Sequence, residues 1–93
     1  MKALYKNKII AESDKTVVVE NNHYFPAHSV NMEYLKKSGN TYTCVWKGVA
    51  SYYNVTVDGE TVEDAAWVYP EPSDAAKQIK GYFAFWKDIQ VTE

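Results

Sequence analysis

The sequence predicts a mainly β protein, a single small antiparallel domain over residues 1–93 with one short helix near the C-terminus. Three observations predict it. Short runs rich in Val, Ile, Tyr, Phe and Trp recur from end to end, and such residues suit a pleated, half-buried surface. Turn signals separate the runs, the strongest being Asp58-Gly59, with Asn21-Asn22 a second of the primed hairpin type. Only Ser73 to Lys80 carries both helical spacing and end signals.

The elements follow in order. Ala3-Leu4-Tyr5 is a short strand; Lys6-Asn7-Lys8 turns, and Ile9 to Glu12 returns. Ser13-Asp14-Lys15 is a second turn. Val17, Val18 and Val19 are stiff at χ1 and favour a strand over Thr16–Glu20. After the Asn21-Asn22 turn, His23-Tyr24-Phe25 pairs back, and Pro26 ends the strand. Ala27 to Val30 suits one helical turn, Asn31 to Leu35 an extended segment, and Lys36 to Asn40 a polar loop. Thr41 to Cys44 re-enters the sheet. Gly48 interrupts the extended pattern and marks a bulge or a close backbone approach.

Ala50 to Val57 is the best strand. Its alternation puts Ser51, Tyr53, Val55 and Val57 on one face and Tyr52, Asn54 and Thr56 on the other. Glu60-Thr61-Val62 returns from the Asp58-Gly59 turn. Glu63-Asp64 reads as a turn before the strand Ala65–Tyr69, and Pro70 and Pro72 stop ladder pairing around Glu71. In the helix, Ser73 is an N-cap, Asp74 suits the dipole and Gly81 is a C′ residue. Tyr82–Trp86 is a last core strand, followed by a Lys87-Asp88 hairpin turn and a closing strand at Ile89-Gln90-Val91.

Composition bounds the function. An apolar share of 46% and a charged share of 24% are those of an ordinary globular domain. A net charge of −2, with no block of like charges, argues against a nucleic-acid partner or a charged membrane surface. No apolar run is long enough for a spanning helix, and the first residues lack a signal-peptide core. One cysteine forbids an internal disulfide and suits a reducing compartment. The expected location is the cytoplasm. Unpaired edge strands leave a homodimer open.

The stretch Thr43 to Tyr53 holds the only cysteine, together with Trp46, Lys47 and Gly48. Cys44 is a candidate nucleophile if a cation lies beside it, and otherwise a small buried hydrophobe. Lys47 stands where it can meet a phosphate or carboxylate, or else is a turn lysine whose stem covers Trp46. Glu20 and His23 flank a turn; a contact between them would make an acid–base pair, the alternative being a sheet-edge pair without chemistry. Trp67 and Tyr69 share a strand face that is either an aromatic wall or core. Glu71 is held between prolines. The ligand-binding set is therefore Lys47, Trp46, Tyr52, Glu71 and Tyr69, with Cys44, His23 and Glu20 as catalytic candidates and a small anionic molecule, of nucleotide or carboxylate class, as the expected ligand. One Cys and two His make no closed metal site, so no metal and no cofactor are expected.

Four blocks, His23–Pro26, Cys44–Tyr53, Ala65–Pro72 and Ile79–Phe85, together resemble domain-of-unknown-function family 427, in order and spacing. The resemblance implies a β-rich domain of Mss4-like or β-tent topology. Zinc-binding Mss4-like proteins use paired cysteines, which this chain lacks. The family also carries a nucleotidyltransferase-like label. No Asp-x-Asp pair and no Gly-rich phosphate loop support that activity here. Three readings of function follow: a binding domain for a small anion, a protein-interaction module without a reaction, and a thiol enzyme built on Cys44.

Overall fold

The computed structural model describes residues 1–93. Nine strands form three antiparallel sheets. The first sheet joins β1 (Lys2–Tyr5) to β2 (Lys8–Glu12) on one side and β9 (Gln90–Thr92) on the other. The second is the small hairpin of β3 (Val17–Val19) and β4 (Asn22–Tyr24). The third runs in the order β5 (Leu35–Cys44), β6 (Gly48–Val57), β7 (Glu60–Val68), β8 (Phe83–Phe85). No helix is long and apolar enough to cross a membrane.

Asp58 (φ +51°) and Gly59 (φ +80°) make the expected primed turn between β6 and β7. The β3–β4 turn lies one residue earlier than expected. Val19 pairs with Asn22, so Glu20 (φ +52°) and Asn21 (φ +66°) form the loop. That shift decides where the Glu20 side chain goes.

Several other local expectations are corrected. Within the expected extended segment Asn31 to Leu35, Met32–Tyr34 is not extended, because Asn31 is tied to β2 through Ile9 and Ile10 and its carbonyl accepts from Tyr34 N–H, which closes a 3₁₀ turn there. Lys36 to Asn40 is not a loop; β5 runs through it with a bulge between Lys37 and Thr41, where Asn40 Nδ2 donates to Asp64 at 2.9 Å. Glu63-Asp64 does not end β7. Asp64 adopts φ +54° inside the strand, and Asn54 Oδ1 accepts its N–H at 2.9 Å across an irregular register.

The expected helix is instead 3₁₀ over Asp74–Ile79, with Ala76 non-helical at φ −122°. Ser73 does not cap it, because its hydroxyl donates to Trp46 O and its N–H to Lys47 O. Ala76 and Ile79, both buried, stand three apart, the spacing that a 3₁₀ turn eclipses. Finally, Lys87-Asp88 turns the chain, with Ile89 N–H on Trp86 O, but it does not make a hairpin. β9 leaves β8 and pairs with β1, placing Val91 opposite Ala3.

Alternation gives the third sheet two apolar faces. Val55, Val57, Ala66, Val68, Phe83 and Phe85 lie in the larger cluster, which the first sheet covers through Ala3, Ile10 and Ala11. Phe25, bridged to Phe83, closes it, with rings of Phe25 and Phe85 edge-on at 5.6 Å. Ala50, Ala84 and Tyr69 lie on the opposite face in a smaller cluster with Tyr24, Ala76 and Ile79. That face carries the site.

Candidate functional site

Strand pairing sets Tyr52 opposite Trp67, and Trp67 opposite Ala84. Two residues along β8, just past its end, Trp86 falls on the same face. Trp67 and Trp86 meet edge-on with centroids 5.7 Å apart, and Tyr52 lies nearly parallel to Trp86 at 6.4 Å. Both indole N–H groups are satisfied inside the protein. Trp67 Nε1 donates to the Tyr24 hydroxyl at 3.1 Å, and Trp86 Nε1 donates to the Asp64 carbonyl that the bulge turns outward. The rings are thus held by their edges. A cavity of about 390 Å³ opens beside them, with Tyr42, Ala50 and Tyr69 completing the apolar wall. Two parallel rings 6.4 Å apart leave too little room for a third between them.

The polar end of the cavity is Lys47, with Asn22. Lys47 is only 5% exposed and is the one buried charged residue in the molecule. The hairpin tip explains its position. Lys47 O accepts Ser73 N–H at 2.9 Å, and Gly48 (φ +115°) lies so close to residues 71–73 that its side would face their backbone. Gly48 therefore makes the close approach expected of it, and the tip folds inward with its lysine. The ammonium pairs with Glu20 and lies 5.3 Å from the Trp46 ring centroid and 5.5 Å from that of Tyr69. Burial is the largest influence and works against the Lys47 charge, but the Glu20 hydrogen bond and the neighbouring Tyr24, Tyr69 and Cys44 together outweigh it, and the pKa stands above the ordinary lysine value. The same hydrogen bond holds the Glu20 carboxyl below its usual range. Burial pushes the Tyr69 phenol up to about 12.

The expected residues sort as follows. Lys47, Tyr52 and Tyr69 line the cavity. Trp46 stays at the rim, 41% exposed, with its indole N–H 3.4 Å from Glu20. Glu71 does not join them; its side chain is exposed, 3.9 Å from Lys80, and only its backbone backs Gly48. The Glu20–His23 contact is not made. His23 sits opposite Val18 in the ladder and meets Thr16 Oγ1 at 2.9 Å, while Glu20, in the turn, reaches across to the other hairpin. Cys44 is half-buried against the smaller cluster and is not part of the cavity wall. Sequence reasoning missed Asn22, Tyr42 and Trp86. Ala84 and Trp86 alternate in the sequence, which was a usable signal for a shared face. The pairing that brings that face beside Tyr52 was not.

A family model described as domain of unknown function (DUF427) matches residues 1–93. The chain belongs to this family. No curated protein matches it in sequence. This DUF427 domain is mainly β, as the family resemblance implied. Its Asp, Glu, His and Cys side chains form no group of three or more that could hold a metal ion.

Proposed function

We propose that this DUF427 domain binds a small ligand that lays a flat apolar body on the Tyr52–Trp67–Trp86 wall and presents an anionic end to Lys47. Aromatic acids and nucleotides have that pairing of parts. The observation that carries the reading is the buried Lys47 ammonium at the end of an aromatic cavity. An ammonium has three donors, and Glu20 takes up one of them. Burying such a group with donors to spare is costly unless an acceptor arrives. The cavity volume lies at the small end of the range typical of ligand sites. The lone free cysteine supports a reducing, cytoplasmic setting.

The test is a thermal-shift screen of aromatic carboxylates, sulfonates and phosphates, followed by calorimetry on wild type, Lys47→Met and Lys80→Met. A ligand at a hundred times its Kd adds about 2.7 kcal/mol, a rise of roughly 10–20 °C for a domain of this size. Lys47→Met keeps the stem and removes the donors. It is expected to weaken the anion roughly tenfold to a hundredfold, the factor for a charge-assisted hydrogen bond of about 1.5–3 kcal/mol. Equal affinities in all three proteins would refute the assignment.

A second reading, an interaction module, draws on the β5–β6 hairpin. Val45 at its tip is fully exposed, and Tyr42, Trp46 and Val49 are about half exposed. A screen without hits, together with loss of a partner on Val45→Ser, would favour it over the ligand site.

A further inference from the structure

We infer that Glu20 is the positioning residue of this site: from the tip of a separate hairpin it keeps Lys47 a charged, oriented donor, and the ligand group that Lys47 receives is therefore an anion. The inference rests on the ligand-binding reading above and specifies what that site selects.

The argument starts from isolation. Lysine is almost never fully buried without a partner. The groups that face Lys47 are few and come from every element around it. They are Tyr24 of β4, Tyr69 beyond β7, Cys44 of β5, and Glu20 of the β3–β4 turn. Burial holds both phenols above their ordinary range, so at neutral pH neither supplies a negative charge. Glu20 does. Its carboxylate is fixed at two points, one oxygen on Lys47 Nζ and the other 3.4 Å from the Trp46 indole nitrogen. Its side chain is 52% exposed, so water solvates the carboxylate from outside while it neutralises the ammonium from within. Glu20 is not on the cavity wall and Lys47 is. The carboxylate and a cavity ligand can thus hold the ammonium together, without displacing each other.

Removing the carboxylate takes away the strongest of the influences that oppose burial. Lys47 then gives up its proton at lower pH, and anion binding falls with it. A residue that merely braces the hairpin would change stability without moving that titration.

Lys47 is followed through the Cε resonance of 13C-lysine-labelled protein between about pH 6 and 11, assigned by its loss in Lys47→Met. Glu20→Gln is expected to lower the midpoint by about one pH unit or more, since loss of an opposite charge adds to desolvation. Glu20→Asp, which keeps the charge, is expected to restore most of it and serves if the glutamine variant folds poorly. Calorimetry with 2-naphthalenesulfonate, anionic throughout, then compares pH 7 with about pH 9.5. Wild-type affinity is expected to hold steady, while that of Glu20→Gln falls about twofold or more as the ammonium is partly lost. An unchanged Lys47 midpoint in Glu20→Gln overturns the inference. A lowered midpoint with no sulfonate bound by any variant would uphold the control of Lys47 by Glu20 and overturn the ligand reading.

Discussion

Replacing Gly48 tests whether the hairpin tip is clamped against residues 71–73. Its φ of +115° lies where L-residues are strained, so any side chain carries a cost of about 1–3 kcal/mol. A Cβ built there would stand 3.4 Å from Glu71 O, 3.5 Å from Pro72 Cα and 3.5 Å from Ser73 N. These are backbone atoms, which cannot swing aside. Alanine just fits; valine adds two methyl groups beside backbone that the Cβ already touches. Gly59 is the control, at φ +80° with nothing within 4 Å. Gly48→Ala and Gly59→Ala should therefore cost similar amounts, about 1–3 kcal/mol each. Gly48→Val should exceed Gly59→Val by a further ~1–3 kcal/mol, the usual cost of overpacking. At 4–8 °C per kcal/mol, the excess is about 4–24 °C in Tm. Urea unfolding followed by tryptophan fluorescence measures it, with equal m-values as the check on two-state behaviour. Gly48→Val no worse than Gly59→Val would show that the tip is not clamped, and the account of the buried Lys47 would fall with it.

Two further predictions concern titration and reactivity. The Tyr69 phenol is neutral in both states below pH 10, ionises near 10.0 when unfolded, and is held up to about 12 by burial when folded. Its contribution to stability is therefore fully present below pH 10 and lost as pH rises towards 12. Tyr69→Phe should flatten that part of the stability–pH curve, and a curve parallel to wild type would contradict the burial argument. Cys44 packs half-buried against the smaller cluster, so native-state alkylation by iodoacetamide should be slow and should reach the free-thiol rate in urea. Alkylation at that rate without urea would reopen the thiol-enzyme reading.

The sheet strands were legible because alternation and turn chemistry agree with the fold. Asp58-Gly59 sits between runs that both alternate, and the structure turns there. Legibility failed where a distant segment competes for a local signal. Ser73 has the right residue type for a helix cap, yet its hydroxyl serves Trp46 O, a partner 27 positions earlier. Asp64 has turn chemistry, yet Asn54 on the neighbouring strand takes up its N–H and converts the turn into a bulge. A one-residue error in the β3–β4 turn mattered most. With the loop at Asn21-Asn22, Glu20 would be a strand residue free to face His23. With the loop at Glu20-Asn21, Glu20 projects from the tip.

That single register step links the fold to the site. Lys47 was visible in the sequence as a cation placed to meet a phosphate or carboxylate, but its burial was not, because burial needs three segments at once. Gly48 lets the β5–β6 tip approach the 71–73 backbone, Ser73 fastens it there, and the β3–β4 turn delivers the counter-charge. Take away the approach and Lys47 returns to solvent as an ordinary turn lysine. Take away the counter-charge and a buried amine has reason to be neutral. With both in place, a charged donor persists at the end of an aromatic cavity, an arrangement that hydrophobic collapse alone would not keep. The two perturbations separate these causes. Gly48→Val removes the burial and leaves the carboxylate; Glu20→Gln removes the carboxylate and leaves the burial. If the site works as argued, both weaken binding of an aryl anion, but only Glu20→Gln makes that binding more sensitive to pH.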